Sequence, residues 1–95
     1  MFGRDKKLRE FAQQNDIMIF VAGKHSSNGK VLFNICREAN PRTYFVEMEE
    51  ELKQEWFNGV ETVGISGATS TPQWLMERIK EHIEAAYAVP EPVNV

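Results

Sequence analysis

The chain has 95 residues, 42% hydrophobic and 26% charged, an ordinary globular mixture of a size that suits one small domain. Its 11 basic and 14 acidic residues leave a net charge of −3, which offers no electrostatic footprint for nucleic acid. The longest apolar run, IMIFVA at 17–22, is far too short to span a bilayer, and a single cysteine excludes an internal disulfide and suits a reducing cytoplasm.

The opening MFGRDKKLREF reads as a charged amphipathic pattern, and a signal peptide is not expected there. Residues 5–14 put Leu8, Phe11 and Ala12 at helical spacing, which predicts a short helix ended by Asn15 and Asp16. IMIFVA is continuously apolar, as expected of a strand buried on both faces of a parallel sheet. After the loop GKHSS, a second helix is predicted from Asn28 to about Ala39, with Val31, Leu32, Ile35 and Cys36 on its apolar face. NPRT reads as a turn, and TYFVEM (43–48) as a second strand. EEELKQEWFNG forms a short acidic helix or turn closed by Gly59, with Leu52, Trp56 and Phe57 as anchors. ETVGIS (61–66) is a third strand, bounded by the small-residue loop GATST. The longest helix is predicted over 72–87, with Pro72 in its first turn. The tail at 88–95, AVPEPVNV, is expected to lie loose, leaving an ordered core of about 5–87.

Strands alternating with helices at this spacing predict a three-layer α/β/α domain with a small parallel, Rossmann-like sheet and right-handed crossovers. A helix opens the chain with no strand before it, and three short strands make a thin sheet. The expectation is that a strand lies upstream, so that residues 1–95 form one domain of a longer protein.

Two loops carry the candidate chemistry, each placed after a buried strand and before a helix, where open α/β sheets bind ligands. The first N–H groups of a helix lack internal partners and carry the positive end of its dipole, so such loops suit an anion. The first loop adds the donors Ser26, Ser27 and Asn28; in the second, Ser66, Thr69, Ser70 and Thr71 supply hydroxyls while Gly67 and Ala68 stay small. With strand order 2-1-3 the loops face each other and could share one phosphate or diphosphate. Ser, Thr and Asn are also the ordinary N-cap residues, each worth about 1 kcal/mol, so either loop can equally be read as a cap. The first loop is no Walker A motif, because Val31 stands where the magnesium-binding Ser or Thr belongs.

Other reactive side chains have plainer readings. Cys36, on an apolar helix face, reads as a buried inert thiol, and His25 as a loop residue able to approach an anion or simply exposed. His82 and the acidic run Glu49 to Glu51 read as solvated, and Trp56 and Trp74 as packing anchors.

The segments GKHSSNGKVLFNIC, NPRTYFVE and EWFNGVETVGISGATSTPQWLME, at this separation, resemble the last third of the 4-hydroxy-3-methylbut-2-enyl diphosphate reductase (LytB) family over about residues 8–85. The resemblance implies one of three similar α/β domains around a [4Fe–4S] cluster, to which each domain gives one cysteine. It also implies reductive removal of a substrate hydroxyl to give isopentenyl and dimethylallyl diphosphates, with a ferredoxin or flavodoxin type electron donor. The family's Ser-Ser-Asn motif and a later serine hold the allylic substrate's diphosphate; they match Ser26, Ser27, Asn28 and Ser70 here. The family's cluster cysteine lies on the strand before the first helix, and Cys36 matches no ligand position. Where the family often has Thr-Ala-Gly-Ala-Ser, this chain has Ser66-Gly67-Ala68-Thr69-Ser70, which keeps the final serine.

The expectation is therefore a cytoplasmic C-terminal reductase domain that supplies part of a diphosphate site. It should bind no cluster and catalyse no redox step by itself, and neither nucleic acid nor a membrane is an expected partner. The alternative is a free-standing phosphate- or diphosphate-binding regulatory module without catalysis.

Overall fold

The computed structural model describes residues 2–68, 71–87 and 93–94. Its elements are α1 (Phe2–Gln14), β1 (Ile17–Val21), α2 (Ser27–Ala39), β2 (Thr43–Val46), two 3₁₀ turns (Glu49–Glu51 and Gln54–Phe57), β3 (Val63–Gly67), α3 (Gln73–Tyr87) and β4 (Val93–Asn94). The strands are all parallel, in the order β2-β1-β3-β4. This is the expected α/β class, and β1 and β3 are neighbours, the condition under which the two loops would face each other. Within the tail expected to lie loose, Val93 and Asn94 instead extend the sheet, opposite Gly64 and Ile65.

β1 is the central strand, and its alternation divides the core. Ile17, Ile19 and Val21 point to one face, where they meet Met76, Ile79 and Ile83 of α3 together with Leu52 and Phe57. Met18 and Phe20 point to the other face, with Leu8 and Ala12 of α1 and Leu32 and Cys36 of α2. All five residues of β1 are buried. At about 1.5–3 kcal/mol for each large apolar side chain removed from water, this strand is the main hydrophobic investment of the fold. Phe20, Phe33 and Phe45 add an aromatic cluster on the α2 side, with Phe33 and Phe45 edge-on at 5.3 Å.

Two expected apolar contacts are absent from the core. Val31 is 57% exposed and Trp74 61% exposed. A helix turns about 100° per residue, so the α2 face centred on Leu32 and Cys36 carries Val31 round toward solvent. Trp74 stands two residues before Met76 and so lies on the opposite side of α3. Trp56 does pack, stacked on Tyr44 at 4.2 Å with the rings within 6° of parallel. The acidic segment folds as two 3₁₀ turns on either side of buried Leu52, not as one helix. Pro72 precedes α3, its carbonyl accepting from the N–H groups of Leu75 and Met76.

The NPRT turn holds more structure than its turn signal implied. Asn40 is buried, and its amide donates to the carbonyls of Ala12 and Asn15, both at 2.9 Å, while its Oδ1 accepts the Arg42 N–H. One side chain thus closes the end of α1 against the end of α2.

Candidate functional site

β1 and β3 are hydrogen-bonded neighbours with Val21 opposite Gly67, so the loops that follow them leave the carboxyl edge of the sheet side by side. The Thr71 hydroxyl donates to the Val21 carbonyl at 2.7 Å and fastens one loop to the other. A Cβ on Gly67 would lie 2.7 Å from that same carbonyl oxygen. The glycine therefore serves the close approach of two backbones, a use distinct from the ligand clearance expected of it. Ala68 is buried beside α2, and Ser66 is buried within β3, so neither faces the loop as expected.

In the first loop Ser26 is the N-cap of α2, with its Oγ accepting the Gly29 N–H at 3.0 Å. The cap reading is therefore correct for Ser26, and its hydroxyl proton remains available for donation. Ser27 and Asn28 are the first two residues of the helix and are exposed, beside N–H groups that lie too early in the helix to find intrahelical acceptors. Gly29 is buried because a Cβ there would lie 2.9 Å from that of Ala22, so the glycine lets the helix start sit down on the end of β1. Ser70 and Thr69 lie outside the described residues.

The surrounding charges were misread in the sequence. Glu49 and Glu51 are only partly exposed, and each holds a cation of another segment. Glu51 Oε2 is 3.0 Å from Lys24 Nζ, and Arg78 Nε is 2.7 and 2.9 Å from the two oxygens of Glu49. Hydrogen bonds from the Glu47 and Met48 backbone and the nearby Lys24 ammonium hold the Glu51 carboxyl below its usual range, while Glu51 pushes Lys24 up. The strand pairing, which no residue pattern announces, accounts for this. β1 and β2 are parallel neighbours with Val21 opposite Val46, so the residues that follow the two strands must meet.

Cys36 is fully buried, and desolvation pushes its thiol up to about 11, as expected of an inert core cysteine. Among the described residues no three His, Cys, Asp or Glu side chains cluster as a metal would require. These residues do not fit an iron–sulfur cluster, whose irons need several accessible thiolates. His25 is exposed in the first loop, and His82 is half-buried on α3. An open concavity of about 320 Å³ lies on the outer side of α2, against Asn34, Arg37 and Glu38, two turns beyond the first loop. Among the described residues no helix is long and apolar enough to cross a membrane.

Comparison with known proteins agrees with this fold. The chain is 55% identical over 95 residues to a 4-hydroxy-3-methylbut-2-enyl diphosphate reductase of Chlorobium chlorochromatii, covering 95% of this chain and 29% of the relative. It is 60% identical over 89 residues to the enzyme of that name from Chlorobium phaeobacteroides, covering 90% and 27%. The chain thus spans less than a third of the length of these curated relatives. A solved structure of (E)-4-hydroxy-3-methyl-but-2-enyl diphosphate reductase, described as the terminal enzyme of the non-mevalonate pathway, superposes with a TM-score of 0.81 at 44% identity, over 85% of this chain and 29% of that one. The Plasmodium falciparum reductase shares the fold, with a TM-score of 0.80 at 19% identity, over 97% and 30%. The model of the LytB protein family matches residues 2–84, and the chain belongs to that family.

Proposed function

We propose that the two loops form part of the substrate diphosphate site of a 4-hydroxy-3-methylbut-2-enyl diphosphate reductase, the activity for which the relatives are named. The observation that carries this reading is the parallel pairing of β1 with β3, Val21 opposite Gly67, which brings two donor-rich loops together at one edge of the sheet. Ser26, Ser27 and Asn28, with the first N–H groups of α2, meet one side of the diphosphate, and Ser70 meets it from the second loop. Neutral donors at a helix start hold an anion without a buried countercharge, which suits a charged group that must also be released.

Reductive loss of a hydroxyl needs electrons, and the donor set of this chain does not fit the [4Fe–4S] cluster that would supply them. Cluster thiolates and the contact with a ferredoxin or flavodoxin type donor are therefore assigned to other parts of the full-length reductase. The role of this domain is to bind and orient the allylic diphosphate. A cytoplasmic setting agrees with its single reduced thiol.

The test is a titration of the isotope-labelled chain with inorganic diphosphate. Amide signals of Ser26 to Lys30 and of Gly67 to Thr71 should shift together, with one dissociation constant. Asn28→Ala combined with Ser70→Ala should abolish the shifts while the melting temperature changes by no more than a few degrees, since Ser26, the N-cap of α2, is left in place. Shifts confined to one loop, or shifts that survive the double variant, would overturn the shared diphosphate site.

A further inference from the structure

Three residues close a ring behind the first loop. The Lys24 backbone N–H donates to Glu47 Oε2 at 3.4 Å, the Glu47 backbone N–H donates to Glu51 Oε1, and Glu51 Oε2 holds the Lys24 ammonium at 3.0 Å. The Met48 N–H adds a second bond to Glu51 Oε1 at 3.1 Å. Next to it, Glu49 grips Arg78 of α3. One short 3₁₀ turn therefore ties the approach to Ser26 to the helix that follows the second loop. A lysine two residues before Ser26 is the obvious cation for a phosphate, yet its ammonium is committed to a carboxylate of another segment.

We propose that Glu51 is a positioning residue for the anion loop: it holds the Gly23–Ser26 turn through Lys24 and Glu47, and Lys24 serves the site through Glu51, not by touching the anion. The consequence for binding rests on the diphosphate reading above, whereas the ring itself does not. The two roles open to Lys24 differ in sign. If Lys24 were a phosphate ligand restrained by Glu51, neutralising Glu51 would release it and tighten diphosphate binding. As a tether, Lys24 and Glu51 should fail together.

The experiment compares the wild-type chain with Lys24→Met, Glu51→Gln and the double variant, by amide hydrogen exchange and by titration with inorganic diphosphate. Gln at 51 can still accept from the Glu47 and Met48 N–H groups, so the fold should persist. Each single variant should speed exchange at the hydrogen-bonded amides of residues 24 and 26 about 2- to 5-fold, the scale of one exposed ion pair, and leave β3 unchanged. The double variant should do no more than either single one, since both remove the same interaction. Glu51→Gln should raise the diphosphate dissociation constant by the same factor as Lys24→Met. Unchanged exchange at residues 24 and 26 would overturn the proposal, as would tighter diphosphate binding by Glu51→Gln. If the wild-type chain shows no diphosphate shifts, the site reading fails, and exchange alone decides whether the ring holds the loop.

Discussion

The Thr71 hydroxyl reaches the Val21 carbonyl at 2.7 Å across fifty positions of sequence, and it joins the two loops that the proposed site needs together. Thr71→Val keeps the branched shape and removes the donor, leaving a part-buried carbonyl unpaired. The expected loss is about 1–2 kcal/mol of stability by urea denaturation. The loops should also uncouple, so that diphosphate shifts in the second loop diminish more than those in the first. A variant as stable as wild type, with both sets of shifts intact, would show that the strand pairing alone aligns the loops.

Gly67 offers a second handle on the same junction. Its replacement by Ala would set a Cβ 2.7 Å from the Val21 backbone oxygen, and backbone cannot swing aside as a long side chain can. β1 and β3 would have to separate at their carboxyl ends. The expected destabilisation is about 1–3 kcal/mol, with chemical-shift changes concentrated at Val21, Ala22 and Thr71. Gly59, at φ +73 with open space around it, is the contrasting case: its backbone conformation, not crowding, resists a side chain.

Which parts of this arrangement were legible beforehand follows from the range of the interactions. The period-free apolar run at 17–22 reads as a strand covered on both sides, and its first five residues form β1 in the interior of the sheet. Loops following buried strands could be placed at one edge from strand order alone. The face of α2 was harder to read, because Val31, Leu32, Ile35 and Cys36 span too wide an arc for all to be inside; packing against α1 selected Leu32 and Cys36. The Lys24–Glu51 pair and the Asn40 bonds join segments far apart in sequence, and no local pattern marks them. Charged runs such as Glu49 to Glu51 look the same in sequence whether or not a cation folds over them.

Asn40 is the strongest of these unmarked positions. Its replacement by Ala leaves the Ala12 and Asn15 carbonyls and the Arg42 N–H without their partner at the junction of α1 and α2. The expected cost is about 2–4 kcal/mol, seen as a lower urea midpoint with an unchanged slope. Asn40→Asp should be nearly as damaging, because a carboxylate accepts only and faces two carbonyl oxygens.

Cys36 gives a test of the metal reading that does not depend on activity. With its thiol buried and pushed up to about 11, the native chain should react with a thiol reagent at neutral pH only as fast as it opens, and at once in urea. Iron and sulfide reconstitution should leave the chain colourless. A stable brown preparation that survives Cys36→Ser would mean that ligands other than cysteine had been overlooked.

Acid should loosen the two poles of the sheet through two different carboxylates. At the amino end, Asp16 Oδ2 accepts the backbone N–H groups of Glu61 and Thr62 at 2.8 and 3.2 Å, and these bonds hold its carboxyl below the ordinary value of 3.8. At the carboxyl end, Glu51 is lowered from 4.5, first by the Glu47 backbone N–H and also by Lys24 and Met48. A carboxyl with a lower pKa folded than unfolded binds fewer protons in the native state, so its contribution is present above the unfolded value and is lost as pH falls through the folded one. The urea midpoint should therefore hold steady from pH 7 to about 5 and decline below the ordinary carboxyl range near 4. Asp16→Asn and Glu51→Gln should each flatten part of that decline, and the two effects should add, because the residues sit at opposite ends of the sheet. A midpoint that falls as steeply in the double variant as in wild type would assign the acid sensitivity to other carboxylates.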